Sequence, residues 1–396
     1  MDFLYLELQR CPTLQRGLIP ARDSRQGRRK RLATTAHHYP RSVLVTGGAG
    51  FIGSNYLLQA VKAHPETRFV NLDALTYAGQ RENLAALEAG SAYTFVQGDI
   101  ADLDLVTALS EEHAFDTVLH FAAESHVDRS ILDPLAFVRT NVMGTATLLE
   151  CARRAWNGRT DVRFHHISTD EVFGSLGPEG LFREDTAYDP RSPYSASKAG
   201  ADHLVRAYHE TYGLPIVISN ASNNYGPFQY PEKLIPLVIQ NAVAGAPVPV
   251  YGKGDNVRDW LHVGDHCSAI DRILQYAEPG STYLVGGGEE RSNLEIVRLL
   301  LKLVDQALDR PEGTSLKLIQ FVTDRPGHDF RYALDGSKLA TDLDWTPSRN
   351  LEEGLRETVA WYLANGTWME QTRNRSYDEY YETQYRDRID NPTETT

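Results

Sequence analysis

Cysteine is scarce. The 396 residues hold three, Cys11, Cys151 and Cys267, far apart and never in a C-x-x-C pair. That pattern excludes a disulfide framework and a zinc ribbon, and it suits a reducing cytoplasm. No run approaches the ~18–20 apolar residues of a membrane-spanning helix, so the sequence predicts no membrane partner. The balance of charge is not basic: the formal net charge is −13, which argues against a general nucleic-acid binder. Internal repeats and low-complexity tracts are lacking too. What is present is an ordinary globular mixture, 41% hydrophobic and 23% charged, enough to bury a sizeable core. The length suggests two domains.

Residues 1–42 differ from the rest. They carry nine Lys and Arg against three Asp and Glu, a net of +6, leaving −19 for the remainder. The apolar run Phe3–Leu6 is too short for a secretory signal, and Glu7 interrupts it. The stretch reads as a disordered basic extension outside the fold. Residues 376–396 read as a polar tail.

Between these ends the chain alternates strand and helix. Strands are expected at 43–46, 68–72, 93–96, 117–121, 162–168 and 215–219. Helices are expected at 51–63, 83–88, 103–112, 137–154 and 195–212. Regular βαβ alternation with apolar strands such as Val43-Leu44-Val45 predicts a doubly wound parallel sheet of the α/β class, covered by helices on both faces. We place this domain at 43–220, with 256–278 returning to it. Residues 221–375 read mainly as a smaller, mixed α/β domain that binds substrate.

The first strand leads into Gly47-Gly48-Ala49-Gly50-Phe51-Ile52-Gly53, and a helix follows. Glycines at 47, 50 and 53 allow a sharp turn and close approach of a pyrophosphate, which the helix N-terminus attracts. Asp73 ends the second strand, 20 residues after Gly53. An acid there accepts hydrogen bonds from ribose hydroxyls and repels a 2′-phosphate, so a Rossmann-type site for NAD is expected rather than one for NADP. Asp99, after the third strand, suits the adenine edge or a simple turn.

Tyr194 and Lys198 stand four apart, one helical turn, on one face. A lysine cation near a phenol is expected to favour the phenolate and make the tyrosine a usable base. With the glycine loop, this pair resembles the extended short-chain dehydrogenases/reductases, in which the tyrosine exchanges a proton with a substrate hydroxyl while NAD takes hydride from the same carbon.

Oxidation alone leaves Thr169-Asp170-Glu171 unexplained. These residues sit at the C-terminal end of the fifth strand, where open α/β sheets bind ligands. Adjacent carboxyls raise one another's pKa, so one can stay protonated as an acid while the other serves as a base. Oxidation at C4 of a hexose acidifies the C5 proton. A base removes it, an acid protonates the departing C6 hydroxyl, and hydride returns to C6.

The motifs GGAGFIGS (47–54), LDALTYAG (72–79), HFAAESHVDRSI (120–131), HHISTDEVFGS (165–175), SPYSASKAGADHLVRAYHETYGLP (192–215), SNNYGPFQYPEKLIP (222–236), RDWLHVGDH (258–266) and DRPGHDFRYALD (324–335) together resemble the dTDP-glucose 4,6-dehydratases. These enzymes act in rhamnose and deoxysugar synthesis. The resemblance implies Asp170 as acid, Glu171 as C5 base, Tyr194 as C4 base, Lys198 beside it, and Thr169 on the C4 oxygen. It implies NAD contacts from Gly47, Gly50, Phe51, Ile52, Gly53, Asp73, Ala74, Leu75, Thr76, Asp99, Ile100, Phe121, Ala122, Ala123, Glu124, Ser125, Thr140, Tyr194, Lys198 and Asn224. For dTDP-glucose it implies Ser125, Thr169, Asn223, Lys233, Leu234, Pro249, Val250, Tyr251, Arg258, Asn293, Asp324, Arg325, Pro326, Gly327 and His328. Arg258, Lys233 and Arg325 suit a diphosphate, with an ordinary surface salt bridge as the alternative for each. Tyr251 reads equally as a core aromatic. A UDP-glucose 4,6-dehydratase and a sugar-nucleotide 4-epimerase are the alternatives. His165 and His166 point to opposite faces of a strand, so no shared metal is expected. The superfamily's helix pairing implies a homodimer through 137–154 and 195–212.

Overall fold

The computed structural model describes residues 37–324 and 327–372. Its strands are β1 (Ser42–Thr46), β2 (Arg68–Asp73), β3 (Tyr93–Gln97), β4 (Thr117–His120), β5 (Arg163–Thr169), β6 (Ile216–Ala221), β7 (Asn223–Tyr225), β8 (Val248–Tyr251), β9 (Val257–His262), β10 (Thr282–Val285), β11 (Glu290–Ser292) and β12 (Ile319–Val322). The helices that matter here are α1 (Phe51–Ala63), α2 (Leu103–His113), α3 (Val127–Leu132), α4 (Pro134–Phe137), α5 (Thr145–Trp156), α6 (Pro193–Tyr212), α7 (Leu234–Ala244), α8 (Val263–Tyr276) and α9 (Asn293–Ala307).

Seven strands form one parallel sheet in the order β10-β6-β5-β4-β1-β2-β3. The chain starts at β1, winds outward through β2 and β3, then crosses to β4 and winds the other way. β1 therefore pairs in parallel with both β2 and β4. The strand order reverses there, and a crevice opens beyond the carboxyl ends of the strands. Val43, Leu44 and Val45 are buried because helices cover both faces. One face packs Leu44, Val70 and Val118 under Leu148, Leu149 and Val205 of α5 and α6. The other packs Val43, Val45 and Leu119 under Leu57 of α1 and Ile270 of α8. Each such aliphatic side chain taken fully out of water contributes about 1.5–3 kcal/mol.

Two smaller sheets follow, β11-β9-β7 and β12-β8. They share a separate core in which Val248, Val250 and Trp260 meet Ile235 and Val238 of α7 and Ile296 and Leu300 of α9. α9 starts at a reciprocal cap between Ser292 and Glu295.

Four departures from the sequence reading have physical causes. Residues 37–42 belong to the fold, although the sequence reading put them in the extension: His38 is buried with its Nε2 2.7 Å from Thr117 Oγ1, and Arg41 pairs with Asp116; residues 1–36 and the tail 376–396 lie outside the described residues. The helix expected over 83–88 is a 3₁₀ turn, Arg81–Leu87. The single helix expected over 137–154 is a widened π-helical stretch, Val138–Gly144, that leads into α5. The segment 221–375 does not stay outside the large sheet, because β10 joins its edge beside β6.

Candidate active site

The site forms where the carboxyl ends of β1, β2, β4 and β5 meet the start of α6. The first cleft is lined by Gly47, Gly50–Gly53, Asp73, Ala74, Thr76, Tyr77, Asp99, Ile100, Phe121–Ser125, Thr140, Tyr194 and Lys198, among others. This includes every residue expected to touch NAD except Leu75 and Asn224. Leu75 packs on the apolar core under α1. Asn224 Oδ1 lies 2.8 Å from His266 Nδ1.

Two glycines have no substitute. Gly47 has φ +71°, and a Cβ there would stand 2.6 Å from backbone atoms of Ala122. A Cβ on Gly53 would stand 2.4 Å from the Gly47 carbonyl. The loop is therefore backbone packed on backbone, a cradle that a side chain would fill. Asp73 braces it, accepting from the Ala49 amide at 2.8 Å and the Leu75 amide at 2.8 Å. Burial raises the Asp73 pKa, and those two amides oppose the rise. A bare-backbone cradle at a helix N-terminus with a carboxylate 20 residues on is the chemistry a dinucleotide's pyrophosphate and ribose require, so the residues fit NAD.

α6 begins at a reciprocal Ser192/Ser195 cap with Pro193 in its first turn, which fixes where Tyr194 enters the cleft. Tyr194 and Lys198 are both buried. Lys198 Nζ donates to the Ile167 carbonyl at 2.9 Å. Burial lowers the Lys198 pKa to about 8, opposed by the charge of Asp202. The expectation that Lys198 brings the phenol down is not met. Burial pushes the Tyr194 phenol well up, Glu171 and Asp170 add to that, and a Thr169 hydrogen bond opposes it. Desolvation of a phenolate outweighs one lysine that already serves a backbone carbonyl.

β5 ends at Thr169, whose Oγ1 accepts from the Glu171 amide at 3.3 Å and donates to Asp170 Oδ1 at 3.3 Å. Thr169 thereby caps the tight turn Asp170–Phe173. Asp170 is 2% exposed, and its Oδ2 has no hydrogen-bond partner. Burial, then the charges of Glu171 and Asp259, push its pKa well up. The two acids therefore differ in setting: Asp170 is buried with its pKa pushed up, and Glu171 lies on the wall of a second cleft.

That second cleft is lined by Ser125, Asn223, Lys233, Leu234, Pro249, Val250, Tyr251, Arg258, Asn293 and His328, all expected to contact substrate. Thr169, Asp324 and Gly327 are not on its wall. Asp324 holds His328 Nδ1 at 2.7 Å. Arg325 and Pro326 lie outside the described residues. Arg258 is not a surface ion pair. It is buried, donates to the carbonyls of Val257 at 2.7 Å and Asp329 at 2.9 Å, and sits 4.2 Å over the Tyr332 ring. Tyr251 donates to Asp128 Oδ2 at 3.3 Å. Ser125, Glu232 and Lys233 line both clefts, so the two meet there.

Sequence reasoning missed Tyr77, His126, Asp128 and Glu232. Arg129 stacks 4.0 Å over Tyr77 and pairs with the buried Glu232 at 3.1 Å, while His126 Nε2 is 3.8 Å from the same carboxyl. The signal was available, because all four stand inside motifs already singled out. His165 and His166 face opposite ways as expected, His165 toward Ser219 at 2.9 Å and His166 toward Asp202 at 3.1 Å.

The GDP-mannose 4,6 dehydratase family model matches residues 44–358. A dTDP-glucose 4,6-dehydratase of Xanthomonas campestris is 56% identical over 340 residues, 84% of this chain and 96% of the relative. The chain belongs to the dTDP-glucose 4,6-dehydratase family. The Salmonella typhimurium dTDP-glucose 4,6-dehydratase is 48% identical over 361 residues, 87% of this chain and 99% of the relative. Among solved dTDP-glucose 4,6-dehydratases, the Streptomyces venezuelae structure with NAD and TYD bound superposes with a TM-score of 0.77 at 45% identity, covering 84% of this chain and all of that one. The Bacillus anthracis structure in complex with NAD gives 0.76 at 42% identity with the same coverage.

Proposed function

We propose that this chain converts dTDP-glucose to dTDP-4-dehydro-6-deoxyglucose and water, with the large sheet holding NAD and the smaller sheets holding the sugar nucleotide. The observation that carries the reading is the acid pair, a buried Asp170 whose pKa is pushed up beside a Glu171 on the cleft wall, in a site that also holds Tyr194 and Lys198. An epimerase needs only the tyrosine and lysine; a dehydratase also needs an acid and a base for elimination.

NAD, when bound, would supply the acceptor for the hydride lost from C4 and, once reduced, the donor of that hydride to C6, together with the positive charge of its oxidised nicotinamide. Tyr194 takes the proton of the C4 hydroxyl, and Thr169 holds the oxygen in place. Burial and the nearby carboxylates oppose ionisation of this phenol, so Lys198 and the bound cation must favour the charged form during transfer. With C4 a ketone, Glu171 removes the acidified C5 proton. Asp170 gives its proton to the C6 hydroxyl, which leaves as water. Glu171 then returns a proton to C5. Lys233, Asn223, Asn293 and Arg258 face the nucleotide diphosphate in this reading.

We further propose a cytoplasmic homodimer. Among the described residues no helix is long and apolar enough to cross a membrane, and Cys151 and Cys267 are buried free thiols. Ile131, Leu132, Leu135, Val138 and Met143 form one exposed apolar run, from 45% to 76% exposed, beside α5. Such a run marks a protein contact.

The test is proton NMR of dTDP-glucose and UDP-glucose incubated separately with the protein. The C6 hydroxymethyl signals of dTDP-glucose are expected to give way to a methyl doublet. A galactose spectrum would mean a 4-epimerase, and faster conversion of UDP-glucose would overturn the base assignment.

A further inference from the structure

The reaction assigns no work to Asp202, yet it is fully buried eight residues after Tyr194 and four after Lys198, on the same stripe of α6. Three elements converge on its carboxylate. His166 Nε2 of β5 is 3.1 Å from Oδ1. Asn220 Nδ2 of β6 donates to Oδ2 at 3.2 Å, and Tyr188 Oη donates to Oδ2 at 2.7 Å. Asn220 Nδ2 also donates to the Thr169 carbonyl at 3.0 Å, so the same amide ties Asp202 to the residue that caps the Asp170–Phe173 turn. Tyr188 in turn meets the Phe173 ring edge-on at 5.1 Å and accepts from Arg206 at 2.8 Å.

We propose that Asp202 is a positioning residue of this reaction: its buried carboxylate lies one helical turn from Lys198 on the same stripe and, through Asn220, holds the turn that carries Asp170 and Glu171. The inference rests on the dehydratase reading.

The charges facing Lys198 support it. On α6 stands Asp202, on β5 His166 and on β4 His120. Burial lowers His120 and brings His166 to about 4, with the Lys198 charge adding to both, so both are neutral at neutral pH. Asp202 is ionised: burial opposes its charge, but His166, Lys198 and Tyr188 overcome that and hold it at about 2. Against burial of the ammonium, Asp202 is the opposing charge, and Lys198 still reaches only about 8. Remove the carboxylate and the lysine deprotonates at lower pH.

The experiment follows C4 oxidation by NADH absorbance in single turnovers of the holoenzyme across pH 6–10. For Asp202→Asn the alkaline limb is expected to move down by about one pH unit or more, with oxidation at pH 8 slowed about tenfold. KM and NAD content should stay near wild type. A limb in its wild-type place overturns the proposal, whether or not the rate falls, because a packing defect does not move a pKa. Asn220→Ala keeps the carboxylate and cuts its link to Thr169, so it tests the proposal even if Asp202→Asn does not fold. Its alkaline limb should stay in place while elimination slows and NADH builds up about fivefold or more. Unchanged NADH build-up overturns the link to the turn. Failure of the dehydratase reading is distinguishable, because the wild-type protein would then form no product.

Discussion

Replacing Asp170 by Asn should separate the two halves of the reaction. Asp170 is 2% exposed, its Oδ2 has no hydrogen-bond partner, and burial with the Glu171 and Asp259 charges pushes its pKa well up, toward the protonated form. Its proton is the one available to the C6 hydroxyl. An amide of the same shape cannot give that proton away. A positioned general acid contributes about 10²–10⁴-fold, so the elimination barrier should rise by about 2.7–5.5 kcal/mol. C4 oxidation uses Tyr194 and should persist. Substrate would then drive the enzyme to a long-lived reduced state, seen as NADH absorbance that rises once and stays while product formation falls. Folding should not suffer, because a buried carboxyl without a full set of partners is exchanged for a neutral amide. Product formation within about threefold of wild type would refute the assignment of Asp170 as the acid. Loss of NADH formation together with product would refute the separation of steps.

Three further outcomes follow from the same structure. Gly47→Ala puts a Cβ 2.6 Å from the Ala122 backbone at φ +71°; a left-handed alanine costs about 1–2 kcal/mol before that contact. The purified variant should therefore lack NAD when its denatured supernatant is assayed, and a full complement would contradict the cradle. Asp259 is raised to about 6, first by burial and then by Glu290, against the Glu289 amide. The folded state thus binds its proton more tightly than the unfolded chain, and that stability is present below about pH 4 and lost as pH rises to about 6. Asp259→Asn should flatten this part of the urea-midpoint profile, and an unchanged slope would count against it. Leu135→Glu, at a side chain 76% exposed, should give a monomer by sedimentation; an unchanged dimer would clear the apolar run of that role.

The large sheet was legible because its strands are buried on both faces and announce themselves without partners: Val43-Leu44-Val45 needs no context. The glycine loop, Asp73 and the Tyr194/Lys198 spacing were legible for a related reason, since each depends on local geometry. The strands β7 to β12 were not. They run three to six residues and owe their existence to long-range pairing, as when β11 meets β9 across Arg291 and Arg258. α3 and α4 went unread, although Asp133 before Pro134 is a start signal and Asp133 does cap the Ala136 amide at 3.3 Å. The π-helical stretch is a tertiary effect: it brings Asn141 within 2.8 Å of Ser197 and 2.9 Å of the Glu124 carbonyl. The sign of the Tyr194 shift also escaped the sequence, because four-residue spacing reports proximity to a lysine and not how dry the site is.

The most direct test of the central claim is mass spectrometry of dTDP-glucose incubated with the purified protein in D₂O, with no NAD added. The expected product has lost one water and gained one deuterium at C5, from retained NAD, internal hydride return and solvent protonation through Glu171. Substrate unchanged even after NAD is supplied, or product without deuterium at C5, would contradict it.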